Sequence, residues 1–169
     1  MRQTRSAFGF QLDPHSCWML SRSMETLSLR MERAAESGRK VAAWLVRNDI
    51  LPCAVLHPEF GEDRRFAEIY ARQGTGPGST FAFVVENDRA LAYRILNALE
   101  LFKLAVSLGG TESLICHPAS TTHSGVPQTV REATGVTEGL IRLSVGMEHP
   151  DDLVRDLAQA FRRATTPAA

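Results

Sequence analysis

The residue with the clearest chemical implication is an arginine inside an apolar strand sequence. Arg142 lies in the run of residues 140–145, where its neighbours are mostly apolar, and a guanidinium in such a place needs an anionic partner. Its planar fork of N–H donors fits a carboxylate held bidentately. The partner is either the carboxylate of a bound substrate or an Asp or Glu of the chain itself, and the spacing alone favours neither.

A polar corner between two predicted strands is the second candidate site. Ser107 precedes Leu108-Gly109-Gly110, and Glu112 follows these glycines. Backbone N–H groups point outward at a strand-turn-strand corner of this kind. The corner can therefore hold an anion, or it can be a turn and nothing more.

The histidines and cysteines give no metal or disulfide pattern. His117 and His123 stand six residues apart, a spacing that fits no standard zinc site. The three cysteines are odd in number and widely spaced, without a C-x-x-C pair. We therefore expect no metal site and no disulfide framework, and a reducing, cytoplasmic setting is the simplest interpretation.

The elements that must position these residues follow from hydrophobic periodicity and capping residues. Residues 13–47 predict helices, with Asp13 as N-cap, Pro14 at the first helical position, and a break near residues 22–29. From residue 50 onward the pattern predicts strands at 50–56, 79–85 and 139–145, and two short strands at 104–107 and 113–117. Between and after them it predicts a helix at 62–73 opened by Glu62 and Asp63, a helix from the cap Asp88 to about Lys103, one or two helical turns at 127–133, a helix from Pro150, and a frayed tail at 165–169. This order predicts an α+β fold, with a mostly antiparallel sheet and helices on one face.

The composition argues against several classes of function. The 169 residues include 44% hydrophobic and 22% charged side chains, which is typical of a globular domain with its own core. Nineteen basic and nineteen acidic residues give zero formal charge, which argues against nucleic-acid or anionic-membrane partners. No apolar run is long enough to span a bilayer, so we expect no membrane insertion. Lys40 and Lys103 are the only lysines, so a mechanism that needs a lysine has two candidates.

Several segments, in the same order along the chain, closely resemble one enzyme family. The family is the cystathionine gamma-synthase-like group of Cys/Met metabolism (trans-sulfuration) enzymes, which depend on pyridoxal 5'-phosphate (PLP). The resemblance covers residues 7–163, and the segments that carry it are LDP (12–14), METLSLRMER (24–33), LFKLAVSLGGTESL (101–114), HPAS with TH (117–120 and 122–123) and GLIRLSVG (139–146).

The resemblance implies a specific fold and specific site residues. The chain looks like roughly the C-terminal two fifths of such an enzyme: residues 1–48 resemble the end of the cofactor domain with the interdomain helices, and residues 49–169 resemble the small domain of a fold-type I PLP-dependent transferase. Arg142 matches the arginine that binds the substrate α-carboxylate. Ser107 matches a serine on the substrate and cofactor side, and Glu112 matches a glutamate near the distal part of the substrate. An amino-acid substrate with a free α-carboxylate and a homotetramer of the complete protein follow from the same resemblance.

The chain also departs from the family pattern. The family's Schiff-base lysine lies in an S-x-T-K motif, upstream of the segments matched here, as do its phosphate-binding residues and its ring-stacking tyrosine. Neither Lys40 nor Lys103 has that context. We therefore expect no catalytic residue in this chain, no PLP bound to it alone and no activity of it alone, since the protein's share of PLP chemistry is to hold and orient the cofactor.

Two hypotheses of different kinds remain open. The first is a fragment of a PLP-dependent C–S lyase or transferase, whose apolar residues Trp18, Met19 and Met24 would be exposed without the rest of the enzyme. The second is a non-catalytic module that binds an amino acid through Arg142 or mediates assembly. Neither the substrate nor the choice between elimination and replacement follows from these residues.

Overall fold

A computed structural model describes residues 2–9, 11–61 and 64–166. The expectations for Glu62 and Asp63 and for the last residues of the tail, 167–169, lie outside these ranges. The elements are α1 (Arg2–Phe8), α2 (Pro14–Met24), α3 (Leu27–Arg47), β1 (Ala54–Leu56), α4 (Arg64–Gln73), β2 (Thr80–Val84), α5 (Arg89–Ala98), β3 (Lys103–Leu104), β4 (Leu114–Cys116), a 3-10 turn (Pro118–Ser120), α6 (Gln128–Ala133), β5 (Leu140–Ser144) and α7 (Pro150–Thr165).

The strands form a five-stranded mixed sheet in the order β1-β2-β5-β4-β3. The pairs β1–β2, β2–β5 and β4–β5 are antiparallel, whereas β3 runs parallel to β4. Because side chains alternate along a strand, the register divides the sheet into two faces. The prediction of an α+β fold with a mostly antiparallel sheet is therefore confirmed.

One face of the sheet carries the hydrophobic core. Phe83 and Ile141 are paired in the register and completely buried, and the ring of Phe83 lies 5.9 Å from that of Phe161 on α7. The core also takes in buried side chains of α3 and α5, including Val41 and Ile95. Burial of this apolar surface is the main favourable contribution to folding.

The chain divides into two compact units, Met1–Arg30 and Met31–Ala169. In the second unit, the part of α3 from residue 31 onward buries one stripe of side chains in the core, including Ala34, Val41 and Leu45. The proposed assignment of residues 1–48 to one domain and 49–169 to another concerns the complete enzyme and stays a prediction.

The helix pair at the start of the chain has the predicted form. The Asp13 side chain accepts a hydrogen bond of 3.0 Å from the Ser16 N–H, with Pro14 in the first turn of α2. The predicted break lies between the end of α2 at Met24 and the start of α3 at Leu27. In the first unit Trp18, Met19 and Met24 are 59%, 53% and 67% exposed, so the unit itself does not bury their apolar surface.

The helix after Asp88 is shorter than predicted. It ends at Ala98, and Lys103 lies in strand β3 instead of in a helix. The buried Asp156 carboxylate on α7 explains the difference, because it accepts hydrogen bonds from the backbone N–H groups of residues 100, 101 and 102 at 2.8–3.0 Å. Three backbone donors bound by one carboxylate are not available to continue a helix.

Other predicted boundaries differ by less. The strand predicted at residues 50–56 is formed only from Ala54 to Leu56, because the Asn48 side chain holds the preceding residues in a turn through the Leu51 N–H. The final helix begins at Pro150 and carries acidic residues in its first turn and arginines in its last, as its dipole favours. Within the ranges given above, no helix has both the length and the apolarity needed to cross a membrane.

A buried histidine lies where the turn after β1 packs on the sheet. His57 is 4% exposed, stands edge-on to Phe81 at 5.3 Å, and accepts a 3.1 Å hydrogen bond at Nδ1 from the Glu59 N–H. Its Nε2 is buried without a partner among the described residues. Burial lowers the pKa of His57 below 6.5, although the nearby Glu59 carboxylate opposes the shift.

Replacing Asp156 should strongly destabilise the second unit. Asp156→Ala leaves three backbone donors beside a buried site without an acceptor, so we expect a loss of about 3 kcal/mol in the free energy of unfolding. Asp152→Ala is the matched control, because that carboxylate is exposed and pairs with Arg155 on the same helix; it should cost less than about 0.5 kcal/mol. Urea denaturation followed by circular dichroism measures both. Equal losses in the two variants would contradict this role of Asp156.

The stability of the fold should fall as His57 is titrated. Because the folded state holds the pKa of His57 below 6.5, the unfolded chain takes up a proton more readily, and the stabilisation present above that pH is lost as pH falls. We expect the urea midpoint to decrease from about pH 7.5 to about pH 5.5, and to decrease less in His57→Gln. His15→Gln on exposed α2 is the control. An identical pH dependence in His57→Gln and the parent would rule out this contribution.

Candidate functional site

Arg142 is the middle residue of β5, the strand that pairs with both β2 and β4. In the register it stands between Ala82 and Cys116. Its neighbours Ile141 and Leu143 belong to the core, so Arg142 points to the opposite face of the sheet. The side chain is half-buried there, at the centre of the sheet and away from the helices that cover the core face.

The guanidinium of Arg142 is held by backbone carbonyls. Its Nη2 donates to the carbonyl oxygen of Val106 at 2.6 Å and to that of Ser107 at 3.1 Å. Within residues 2–9, 11–61 and 64–166, no carboxylate forms an ion pair with Arg142, and its Nε and Nη1 have no hydrogen-bond partner. The alternative of an internal Asp or Glu partner is therefore not found in this part of the chain. A neutral carbonyl orients the fork but leaves its positive charge uncompensated.

The two carbonyls belong to the connection between β3 and β4, which we call the 105–112 loop. Gly109 in this loop has a φ of +76°, a conformation that glycine adopts without strain. Its N–H donates a 2.8 Å hydrogen bond to Oγ of Ser144. Sequence reasoning missed Ser144, although its position two residues after Arg142 in a strand places both side chains on the same face.

The far end of the loop is fixed by a second set of hydrogen bonds. The Glu148 carboxylate accepts from the N–H and from Oγ of Ser113, each at 2.7 Å, and Ser113 Oγ accepts from the Gly146 N–H at 2.9 Å. A Cβ at Gly146 would collide with the backbone of Thr111, so this close approach requires glycine. The sequence contained no signal for the Ser113–Glu148 contact.

Of the three residues singled out from the sequence, Ser107 contacts Arg142 only through its backbone and Glu112 does not contact it. The carbonyl of Ser107 contacts Arg142, but the Ser107 side chain is exposed and makes no hydrogen bond among the described residues. Glu112 is also exposed, and in the same part of the chain its carboxylate has neither a hydrogen bond nor an ion pair. The roles assigned to Ser107 and Glu112 by resemblance thus stay predictions.

A cavity of about 400 Å³ lies beside the 105–112 loop. Arg142 itself does not line this cavity, and part of its wall is formed by α5. The cavity adjoins Arg142 only through Val106, whose carbonyl the guanidinium binds, and through Cys116, the register partner of Arg142. The walls are largely apolar, with a few hydroxyl and amide groups. The lining residues are Tyr93, Leu96, Asn97, Leu104, Ala105, Val106, Cys116, His117, Ser120 and Thr121.

Neither lysine stands in an enclosed site. The Lys40 side chain is 54% exposed on α3 and its Nζ pairs with Glu36 at 3.1 Å. Lys103 is exposed on the edge strand β3. A lysine that forms a Schiff base is held against its cofactor in a closed site, which neither position offers in this chain.

His117 and Cys53 lie in surroundings that indicate no role in catalysis. His117 is buried and its Nε2 donates to the Glu138 carbonyl at 2.9 Å, so its Nδ1 is left to accept from Ser120 Oγ at 2.8 Å. Burial raises the pKa of the Cys53 thiol to about 11, which keeps it protonated and unreactive at neutral pH. Both residues therefore serve packing.

The chain matches one family of known proteins. The family model described as "Cys/Met metabolism PLP-dependent enzyme" matches residues 1–162. The cystathionine beta-lyase MetC of Bacillus subtilis (strain 168) is 35% identical over 158 residues, which cover 94% of this chain and 40% of that protein. The chain spans about two fifths of the length of the curated relatives it matches.

Two solved structures have the same fold as most of the chain. The cystathionine gamma-lyase CalE6 from Micromonospora echinospora matches with a TM-score of 0.84 and 35% identity, covering 95% of this chain and 41% of its own. An O-acetylhomoserine (thiol)-lyase from Campylobacter jejuni matches with a TM-score of 0.82 and 34% identity, covering 90% and 36%. That structure contains N'-pyridoxyl-lysine-5'-monophosphate.

The resemblance drawn from the motifs around Arg142 is thereby confirmed. The match extends over nearly the whole chain, and a curated relative and a solved structure that are each 35% identical to it support it at the level of sequence and of fold. The chain belongs to the Cys/Met metabolism family of PLP-dependent enzymes.

Proposed function

We propose that this chain is the C-terminal, substrate-binding part of a PLP-dependent trans-sulfuration enzyme, and that Arg142 binds the α-carboxylate of its amino-acid substrate. Residues 49–169 correspond in this proposal to the small domain of a fold-type I enzyme. The reaction is the cleavage or replacement of a C–S or related bond in an amino acid, by a lyase or a γ-replacement transferase. A cytoplasmic setting and a homotetramer of the complete enzyme belong to the same proposal.

The observation that carries the proposal is the state of Arg142. Its Nη2 is bound by the Val106 and Ser107 carbonyls, which orient the fork, and its remaining donors have no partner within the described residues. A carboxylate is the ligand that best compensates this charge, because it can accept from the free Nε–H or Nη1–H. A bidentate contact forms when Nη2 exchanges one of its carbonyls for a carboxylate oxygen.

The residues of this chain do not fit the cofactor by themselves. When bound, PLP withdraws electrons from the substrate carbon skeleton, but it must be anchored by a lysine. Lys40 is exposed and paired with Glu36, and Lys103 is exposed on an edge strand. We therefore assign this chain the binding and orientation of the substrate carboxylate, and no proton transfer.

One observation favours a second function. The core of the second unit is built entirely from this chain, and the 105–112 loop around Arg142 is fixed by internal hydrogen bonds. A domain of this kind can act as a non-catalytic module that binds an amino acid or mediates assembly. The two functions differ in whether Arg142 contributes to catalysis when a cofactor-binding part is present.

The chain alone should not form a cofactor adduct. After incubation with PLP and reduction with borohydride, we expect no stoichiometric pyridoxyl-lysine in the intact mass, because neither lysine lies in a closed site. The Bacillus subtilis cystathionine beta-lyase, treated in parallel, is the positive control. A stoichiometric adduct at Lys40 or Lys103 would contradict the assignment of the chain to substrate binding alone.

Arg142→Lys should abolish most of the activity of an assembled enzyme. The test protein is a chimaera: the Bacillus subtilis cystathionine beta-lyase in which the matching part of this chain replaces the segment of 158 residues that it matches. We expect the chimaera to cleave cystathionine, and Arg142→Lys to lower kcat/KM on the order of 100-fold, because lysine cannot form the bidentate fork.

The matched control is Arg94→Lys, since Arg94 also donates to a backbone carbonyl, that of Ala164, but lies on α5. Its kcat/KM should stay within about 2-fold of the chimaera. An unchanged rate in Arg142→Lys would remove Arg142 from the site. A folded chimaera that binds PLP but cleaves no cystathionine would favour the non-catalytic module.

A further inference from the structure

We propose that Ser144 is a positioning residue for Arg142: its buried hydroxyl holds Gly109, and thereby the loop whose carbonyls orient the guanidinium. This inference rests on the proposed role of Arg142 in carboxylate binding. Ser144 itself is 1% exposed, so it does not touch the substrate and acts through the loop alone.

The side chains of Arg142 and Ser144 on β5 both form hydrogen bonds with the 105–112 loop. Arg142 and Ser144 are two positions apart in the strand, so they point to the same face about 7 Å apart. Arg142 binds the carbonyls of residues 106 and 107, and Ser144 binds the N–H of residue 109. The loop is thus fastened at two successive points along a single strand.

Within the described part of the chain, the bond from the Gly109 N–H is the only hydrogen bond of the Ser144 hydroxyl, and it is well formed. The distance from Gly109 N to Ser144 Oγ is 2.8 Å, and Oγ is an acceptor in this bond. A buried hydroxyl without a partner is unfavourable, so the bond stabilises the arrangement of β5 and loop together.

Loss of this bond should loosen the carbonyls beside it. Only Leu108 separates Gly109 from Ser107, whose carbonyl lies 3.1 Å from Arg142 Nη2. If the loop moves, the fork of Arg142 regains rotational freedom that must be lost again when a carboxylate binds. Because the α-carboxylate is held in the ground state and in the transition state alike, the effect should fall mainly on KM.

The first measurement is amide hydrogen exchange of the 169-residue chain itself. In Ser144→Ala we expect the Gly109 N–H to exchange at least about 10-fold faster, while the Ile141 N–H in the centre of β5 keeps its protection. Ser79→Ala is the matched control, because Ser79 is also a buried serine of the same sheet region, at 6% exposure, and its side chain makes no hydrogen bond with the described residues. It should leave Gly109 unchanged.

The second measurement uses the chimaera with cystathionine. Ser144→Ala should raise KM about 5- to 10-fold and change kcat less than about 2-fold, whereas Ser79→Ala should change neither. Ser144→Cys fills nearly the same space, but its sulfur is a weak acceptor. It should therefore raise KM part of the way, and it replaces the alanine variant should that one fail to fold.

The outcomes separate this inference from the function on which it rests. Unchanged Gly109 exchange in Ser144→Ala overturns the inference, as does faster exchange with an unchanged KM. An equal rise in KM for Ser79→Ala would reduce Ser144 to a general packing residue. If Arg142→Lys leaves the chimaera at full activity, the proposed function itself is wrong; if that variant is impaired but Ser144→Ala is not, only the role of Ser144 fails.

Discussion

A positive charge at the centre of the sheet is the constraint on which the rest of this structure depends. β5 pairs on both sides, so its middle residue cannot be moved to an edge, and that residue is Arg142. A guanidinium in this place loses part of its hydration and must recover polar contacts from the protein. The Val106 and Ser107 carbonyls provide them. The 105–112 loop that carries these carbonyls is itself held by the hydrogen bond from Gly109 to Ser144 and, directly after the loop, by those from Ser113 to Glu148.

Much of the fold could be predicted because its signals are local. Asp13, Pro14 and the helix break depend on residues within one or two turns of each other, and β5 was visible from its own apolar sequence. The end of α5 was not predictable in this way. It is set by Asp156, which lies more than fifty positions further along the chain and takes the backbone donors of residues 100–102.

Some residues of the site could likewise be predicted from the local sequence, whereas others depend on contacts between residues far apart in the chain. The residue type and setting of Arg142 indicated an anion partner, but only the structure shows that the internal partners are carbonyls. Ser144 could have been found from the two-residue period of a strand. Glu148 could not, because its contact with Ser113 joins residues thirty-five positions apart with no pattern between them.

The parallel pairing of β3 and β4 sets a limit on how this region can evolve. Parallel neighbours require the chain to travel back along the sheet before it re-enters, and here it does so between Leu104 and Leu114 without a helix. Such a short connection leaves little room for a change in its length. Most of its side chains, such as that of Leu108, are exposed, so substitutions there disturb little packing, whereas a change in the number of residues alters the return path itself. Insertions and deletions, more than substitutions, are what selection should remove from this segment.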